Sequence, residues 1–186
     1  MAIEIEKKYR LNELQREIVL KNLAEIGAEY KGEDFEENLL FYGGILVEKQ
    51  AVLRLRKIGE KTILTYKEKI QNESGIKHYR EHETETADFE ESVEILESLG
   101  FYRSLVYEKR RRTWHFRDVE IVLDELPFGS FMEIEGSITA IEEAEIFLEA
   151  EDFETEHETY PHLTHKFGKK NGNLIEARFN QQNLSE

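Results

Sequence analysis

Three ionisable residues occupy alternate positions near the start of the chain: Glu4, Glu6 and Lys8. Successive side chains of a β-strand point to opposite faces, so these three would lie together on one face of a strand. An ordinary half-buried strand carries apolar residues on its covered face. Two carboxylates beside an ammonium group indicate a binding site instead, in which the carboxylates bind a metal ion and the lysine binds phosphate.

The same alternation of charges recurs in six later segments of the chain. Three segments are basic and three are acidic, and their alternating residues are Arg54 and Arg56, Lys67 and Lys69, Glu81 and Glu83, Lys109 and Arg111, Asp124, and Glu133 and Glu135. With the first strand, the set contains seven bases and seven acids, so a charged interior built from it would be formally neutral. The net charge of −15 would then lie on the outside.

The residues between these charges are apolar or aromatic in several segments, as at Ile5, Leu53, Leu55, Tyr66 and Ile134. We expect them to face a shell of helices while the charges face inward. Arginine and lysine match phosphate oxygens, and Mg²⁺ or Mn²⁺ binds carboxylate and phosphate oxygens together. Any single pair of this kind is most often a solvated strand face, but the ordered series favours a site for a polyphosphate–metal complex.

Several β-rich segments with short connections position these residues. The predicted strands are 2–11, 37–48, 51–58, 61–70, 77–86, 104–116, 119–125 and 130–137, and the turns fall at 43–44, 59–60, 72–75 and 127–129. Short connections favour antiparallel pairing, and closure of about eight strands removes exposed edges. The predicted class is therefore α+β, an eight-stranded antiparallel β-barrel with helices packed outside.

Capping residues predict three helices. Asn12 precedes a helix over 13–26, Asp88 precedes one over 89–99, and Thr139 precedes one over 140–150. Each of these three side chains can accept a hydrogen bond from a free N–H group of the first helical turn.

Length and composition restrict the class of protein. The 186 residues predict a single domain over 1–186, with a mobile tail from about residue 169. A net charge of −15 disfavours binding to nucleic acid and anionic lipid, and no apolar run approaches the ~20 residues of a membrane span. The acidic start is unlike a signal peptide, and the absence of cysteine is compatible with the reducing cytosol, so we expect a cytoplasmic protein.

In this order, the motifs resemble those of the CYTH superfamily, the triphosphate tunnel metalloenzymes. The hallmark of that family is Glu-x-Glu-x-Lys near the N-terminus, present here at Glu4, Glu6 and Lys8. The later charged segments match in the same order, so the resemblance covers roughly residues 3–136. It implies a barrel whose central tunnel binds a triphosphate and a divalent metal, Mg²⁺ or Mn²⁺.

The resemblance also implies roles for individual residues. The metal ligands would be Glu4, Glu6, Glu133 and Glu135, with Asp124 as a further one. The phosphate-binding residues would be Lys8, Arg54, Arg56, Lys67, Lys69, Lys109 and Arg111. Glu81 and Glu83 would either bind a second metal ion or hold the basic side chains in place.

Three functions are compatible with these residues. A triphosphatase would hydrolyse inorganic tripolyphosphate or a small organic triphosphate such as thiamine triphosphate. A class IV adenylyl cyclase would convert ATP to cAMP and pyrophosphate, and a binding module would hold polyphosphate or nucleotide without turnover. The hydrolase is favoured because inorganic triphosphate needs nothing beyond the visible charges. The expected partner is a small-molecule triphosphate, and the expected state is a monomer or a homodimer.

Overall fold

The computed structural model describes residues 5–70 and 78–180, and for residues 69, 70, 78 and 79 it describes the backbone alone. Within these residues, the helices are α1 (Glu13–Glu25), α2 (Ile45–Lys49), α3 (Phe89–Ser98), α4 (Ile138–Leu148) and α5 (Tyr160–Phe167). The strands are β1 (Glu6–Leu11), β2 (Glu29–Tyr42), β3 (Ala51–Ile58), β4 (Lys61–Ile70), β5 (His78–Thr86), β6 (Tyr102–Phe116), β7 (Val119–Leu126), β8 (Gly129–Glu135), β9 (Lys169–Asn171) and β10 (Leu174–Ala177). Glu4 and the turn predicted at 72–75 lie outside the described residues.

The described chain forms two compact units. Unit 1 comprises residues 5–34 and 109–159, and unit 2 comprises residues 35–70, 78–108 and 160–180. Two long strands, β2 and β6, contribute residues to both units. The prediction of a single domain over 1–186 stays a prediction.

In unit 1 the strand order is β1-β8-β7-β6, and all three pairings are antiparallel. Alternate residues of these strands form an apolar face, on which Tyr9, Ile121, Met132 and Ile134 have no exposed surface. Residues of α1 and α4 complete this core. Because strand residues alternate, the charged residues between these apolar ones occupy the opposite face, which we call the polar face of unit 1.

In unit 2 the order is β2-β3-β4-β5, again with antiparallel pairs, and β6 lies beside β2. Leu53 and Leu55 of β3 are buried against Leu46 of α2 and Leu96 of α3. Arg54 and Arg56 therefore lie on the opposite face, which we call the polar face of unit 2. The α+β class, the eight strands β1–β8 and the helices packed against their apolar sides confirm the predicted fold class.

Most predicted elements are confirmed within one or two residues, and β3 and β4 match the predicted 51–58 and 61–70. Asn12 and Asp88 cap α1 and α3 by accepting hydrogen bonds from the N–H groups of Gln15 and Glu91. Leu53, Leu55, Tyr66 and Ile134 pack in the apolar cores as expected, whereas Ile5 is exposed.

The predicted strand 37–48 is wrong at both ends. The strand is Glu29–Tyr42, and the helix α2 follows at Ile45–Lys49. Gly43 and Gly44 have φ values of 122° and 51°, which end the strand in a conformation that favours glycine. The β-branched residues of α2 suggested a strand, but the turn before them redirects the chain.

Two predictions near the C-terminus also need correction. The third helix begins two residues earlier than predicted, because Ser137, rather than Thr139, accepts the hydrogen bond from the Ala140 N–H. The segment from residue 169 was predicted to be mobile, but its residues 169–171 and 174–177 form β9 and β10, and residues 181–186 lie outside the described residues. Parallel pairing of β10 with residues 105–107 of β6 satisfies backbone groups that a free tail would leave to water.

None of the described helices is long and apolar enough to cross a bilayer.

Substituting Ser137 by alanine should lower the free energy of unfolding by about 1 kcal/mol, because α4 loses its N-terminal cap. The change Thr139→Ala is the matched control, since Thr139 lies within the helix and should tolerate alanine. Urea unfolding of both variants measures the difference. An equal loss in Thr139→Ala would contradict the assignment of the cap.

Candidate functional site

An ion-pair cluster occupies the polar face of unit 1. The guanidinium group of Arg111 donates to both oxygens of Asp124, at 2.7 Å from Nε and 2.5 Å from Nη2. The same Nη2 lies 2.6 Å from Glu133 Oε2. The strand register explains the first contact, because Arg111 of β6 lies opposite Asp124 of β7. Three residues from three strands are therefore joined through a single guanidinium group.

Two lysines complete this cluster. Lys8 Nζ lies 3.2 Å from Glu133 Oε1 and donates to the carbonyl oxygen of Glu158 at 3.3 Å. Lys109 Nζ lies 3.5 Å from Asp124 Oδ2. The side chains of Lys109 and Asp124 are 4% and 0% exposed, so these charges interact in a medium far less screening than water. Three cations against two carboxylates make these five side chains suited to an additional anion.

A pair of carboxylates follows on the same face. Glu6 of β1 lies directly opposite Glu135 of β8, and Glu120 of β7 lies on the other side of Glu135. The Gly136 N–H donates to the Ile5 carbonyl oxygen at 3.1 Å, which makes Glu6 and Glu135 a non-hydrogen-bonded pair, whose side chains stand closer. Like charges in such positions are destabilising unless a cation lies near them.

These carboxylates have the chemistry that a hard divalent cation requires. Mg²⁺ and Mn²⁺ prefer oxygen ligands, and Mg²⁺ is commonly held by one or two carboxylates together with phosphate oxygens. Within residues 5–70 and 78–180, no group of three or more acidic or histidine side chains is arranged to hold a metal ion. Glu6 and Glu135 therefore fit as a two-carboxylate site. Glu4, two residues before Glu6 in the sequence, lies outside the described residues.

The polar face of unit 2 carries a second group of predicted residues. Arg54 Nη2 donates to the Thr65 hydroxyl at 3.4 Å, and that hydroxyl donates to Glu83 Oε2 at 2.9 Å. Arg54 Nε is buried and has no hydrogen-bond partner in the described part of the chain. Lys67 Nζ lies 3.0 Å from Glu81 Oε2. Glu81 therefore contacts Lys67 directly. Glu83 accepts a hydrogen bond from Thr65, which in turn contacts Arg54.

Sequence reasoning missed the residues that hold Arg56. Arg56 Nε donates to Asn38 Oδ1 at 3.3 Å, and Asn38 Nδ2 donates to Glu36 Oε2 at 3.2 Å. Asn38 and Glu36 are 0% and 2% exposed. Polar residues at alternate positions before the apolar run of β2 were the available signal. The predicted start of that strand at residue 37 excluded Glu36, so the alternation went unnoticed.

Tyr107 was also missed, and it contributes to the same region of unit 2. It is 3% exposed on β6 and interacts with Arg54, Arg56 and Glu36. Burial raises the pKa of Tyr107, and this effect outweighs the Arg54 guanidinium, which acts in the opposite direction. Tyr107 is therefore a neutral phenol at physiological pH, able to donate a hydrogen bond.

The predicted site residues thus fall into two groups. Unit 1 brings together Lys8, Lys109, Arg111, Asp124 and Glu133 by contact, and Glu6 and Glu135 by register. Unit 2 contains Arg54, Arg56, Lys67, Glu81 and Glu83 on one face. Glu4 and the side chain of Lys69 lie outside what the structure describes. Asp124 and Glu133, predicted to bind metal, both accept hydrogen bonds from Arg111.

Three solved structures resemble this chain over most of its length. The PH1012 protein of Pyrococcus horikoshii OT3 is 27% identical, with a TM-score of 0.72 over 87% of this chain and 99% of that chain. The PH1819 protein of the same organism is 26% identical, with a TM-score of 0.68 over 88% and 99%. The protein HpAC1 from Hippeastrum, named as an adenylyl cyclase candidate with a dominant triphosphatase activity, is 18% identical, with a TM-score of 0.65 over 88% and 96%.

A search of curated proteins found no significant match. The family profile of the CYTH domain matches residues 2–174, which is nearly the whole chain. This match includes the strands that carry both polar faces. The chain is therefore a member of the CYTH domain family.

Proposed function

We propose that this protein is a divalent-metal-dependent triphosphatase that hydrolyses inorganic tripolyphosphate or a small organic triphosphate such as thiamine triphosphate. The observation that carries the proposal is the polar face of unit 1. There, the cations Lys8, Lys109 and Arg111 lie on the same strand faces as the opposed carboxylates Glu6 and Glu135. A triphosphate with its metal ion presents the complementary charges. Membership of the CYTH family supports the same class of chemistry.

The cations of unit 1 are suited to binding phosphate oxygens. Asp124 is buried and fixes the guanidinium plane of Arg111 through two hydrogen bonds, while it also lies near Lys109. Such pre-positioned cations stabilise the charge of a phosphoryl group without reorganising during the reaction. Asp124 acts in this proposal as a positioning residue.

Glu6 and Glu135 would hold the divalent cation, Mg²⁺ or Mn²⁺, with Glu4 as the proposed third ligand. When bound, such an ion supplies charge neutralisation for the phosphates and lowers the pKa of a coordinated water. The chain contributes the carboxylate pair that selects a hard cation and holds it on the face where the lysines lie.

The polar face of unit 2 by itself carries three cations suited to binding phosphate oxygens, namely Arg54, Arg56 and Lys67. Each has a neighbour that restricts its position: Thr65 for Arg54, Asn38 for Arg56 and Glu81 for Lys67. A side chain held in this way loses less conformational entropy when it binds an anion. The contacts of Glu81 and Glu83 favour the alternative in which these acids hold basic groups in place.

Hydrolysis is favoured over cyclisation because an inorganic triphosphate needs only cations and a metal site, both of which these residues can supply. Cyclisation would require the ribose 3′-hydroxyl of ATP to attack the α-phosphate, and so would require a site for the base and ribose. The dominant triphosphatase activity described for HpAC1 is consistent with this preference. Cytoplasmic location and a monomeric or homodimeric state stay predictions.

Incubation with tripolyphosphate, thiamine triphosphate or ATP, each with Mg²⁺ or Mn²⁺, should release phosphate without cAMP. Phosphate release and cAMP are followed in the same reactions, with EDTA as the metal-free control. Formation of cAMP with pyrophosphate would refute the hydrolase proposal and support the adenylyl cyclase. Tight triphosphate binding without any turnover would instead identify a binding module.

The variants Glu6→Gln and Glu135→Gln should each reduce metal-dependent turnover by about 100-fold or more. Changes in groups that only support metal ligands already cost 10–100-fold, so loss of a ligand should cost at least as much. Glu142→Gln, at an exposed position of α4, is the matched control and should retain full activity. Full turnover in both Glu6→Gln and Glu135→Gln would refute the assigned metal site.

Asn38→Ala should raise the KM for tripolyphosphate about tenfold, because Arg56 loses the group that holds its Nε and an oriented charge-assisted hydrogen bond is worth about 1.5–3 kcal/mol. Asn22→Ala is the matched control: Asn22 is buried in unit 1 and donates to the Leu148 carbonyl oxygen at 3.0 Å. Both variants should lose stability, but only Asn38→Ala should change KM. An equal KM in the two variants would show that Asn38 is merely structural.

A further inference from the structure

Four consecutive cations occur on β6, and the proposed function uses only two of them. Lys109 and Arg111 belong to the polar face of unit 1, where both contact Asp124. Strand alternation sends Arg110 and Arg112 to the opposite face. Arg112 accordingly lies over the ring of Trp114, a core residue of that face, at 5.7 Å from the ring centroid.

These two arginines line a cavity in unit 1 together with Arg16 of α1. The cavity has a volume of about 120 Å³, and its wall also includes Glu33 and Glu125. Three arginine residues thus line one small space in a chain whose net charge is −15. Like charges that approach each other destabilise a fold unless a counter-charge lies between them.

The acidic residues in the wall do not neutralise all three arginines. Arg110 Nη1 lies 3.8 Å from Glu125 Oε1. Within residues 5–70 and 78–180, neither Arg16 nor Arg112 forms an ion pair. When Glu33 is counted against one of these two arginines, the three arginines of the wall still outnumber its two glutamates, so the net charge of these five residues is positive.

A third acid, Asp124, also lines the cavity, but its carboxylate is already bound. Both of its oxygens accept hydrogen bonds from Arg111, and Lys109 lies 3.5 Å away. Its charge is therefore balanced on the polar face of unit 1. The surplus charge of the cavity lies with the arginines on the opposite face.

We propose that this cavity is a second anion site, distinct from the polar face of unit 1, and that it binds inorganic phosphate. Guanidinium groups form paired hydrogen bonds with the oxygens of a tetrahedral oxyanion, which favours arginine over lysine in such sites. The cavity has room for several water molecules, which is enough for a compact orthophosphate ion. The proposal does not depend on the triphosphatase reaction.

Titration of the whole protein with sodium phosphate at constant ionic strength tests the site directly. The Nε–Hε resonances of Arg16 and Arg112, assigned with the variants Arg16→Gln and Arg112→Gln, should shift in the wild-type spectrum at millimolar phosphate. The resonance of Arg117, an exposed arginine whose guanidinium group stacks on Phe147 outside the cavity, should not shift. Unmoved Arg16 and Arg112 resonances would overturn the proposal, whatever the fate of the triphosphatase reaction.

Calorimetry of the variants provides a second measurement. Arg16→Gln and Arg112→Gln should each weaken binding of phosphate at this site by about tenfold, the cost of one charge-assisted hydrogen bond. Turnover of tripolyphosphate should remain unchanged in both. Arg117→Gln is the matched control for net charge, and an equal loss of phosphate affinity there would show general attraction and refute the site. Thermal unfolding shows whether each variant is folded. If a variant does not fold, the phosphate titration of the wild-type protein still tests the site.

Discussion

The alternation of side chains along the strands is the constraint on which both units depend. The strands β1, β7 and β8 of unit 1 place apolar residues against α1 and α4 and place Glu6, Lys8, Asp124 and Glu133 on the opposite face. Unit 2 repeats the arrangement with α2 and α3. A sheet built in this way cannot bury its charged face against apolar groups, so that face must be satisfied by ion pairs, hydrogen bonds or bound ions.

The charged faces cost stability. A buried ion pair such as Arg111 with Asp124 contributes little net stability, because desolvation offsets most of the Coulomb attraction. The folding free energy must therefore come chiefly from the apolar cores on the other side of each sheet. Packing of the apolar cores holds the strands in place, and the pairing of the strands fixes the positions of the charged groups. Such preorganised charge is what a site for a polyphosphate requires.

Local signals predicted the elements well where residues close in sequence determine them. The strands β3 and β4 and the caps at Asn12 and Asp88 follow from alternation and from a side chain bonding to the next turn. Prediction failed where two local choices are nearly equal in energy. Ser137 and Thr139 are both suitable caps, and in the structure it is Ser137 that accepts the hydrogen bond from the Ala140 N–H.

The sequence by itself determined which residues could form a charged face, because a period of two is a property of the strand alone. It could not determine their partners. Arg111 meets carboxylates from β7 and β8, and Arg56 is held by Asn38 of β2, because strand register joins residues distant along the chain. Only the tertiary structure placed Arg16 beside Arg110 and Arg112 in one cavity. That convergence depends on how α1 docks on the sheet, which results from burying apolar surface and leaves no pattern in the arginines themselves.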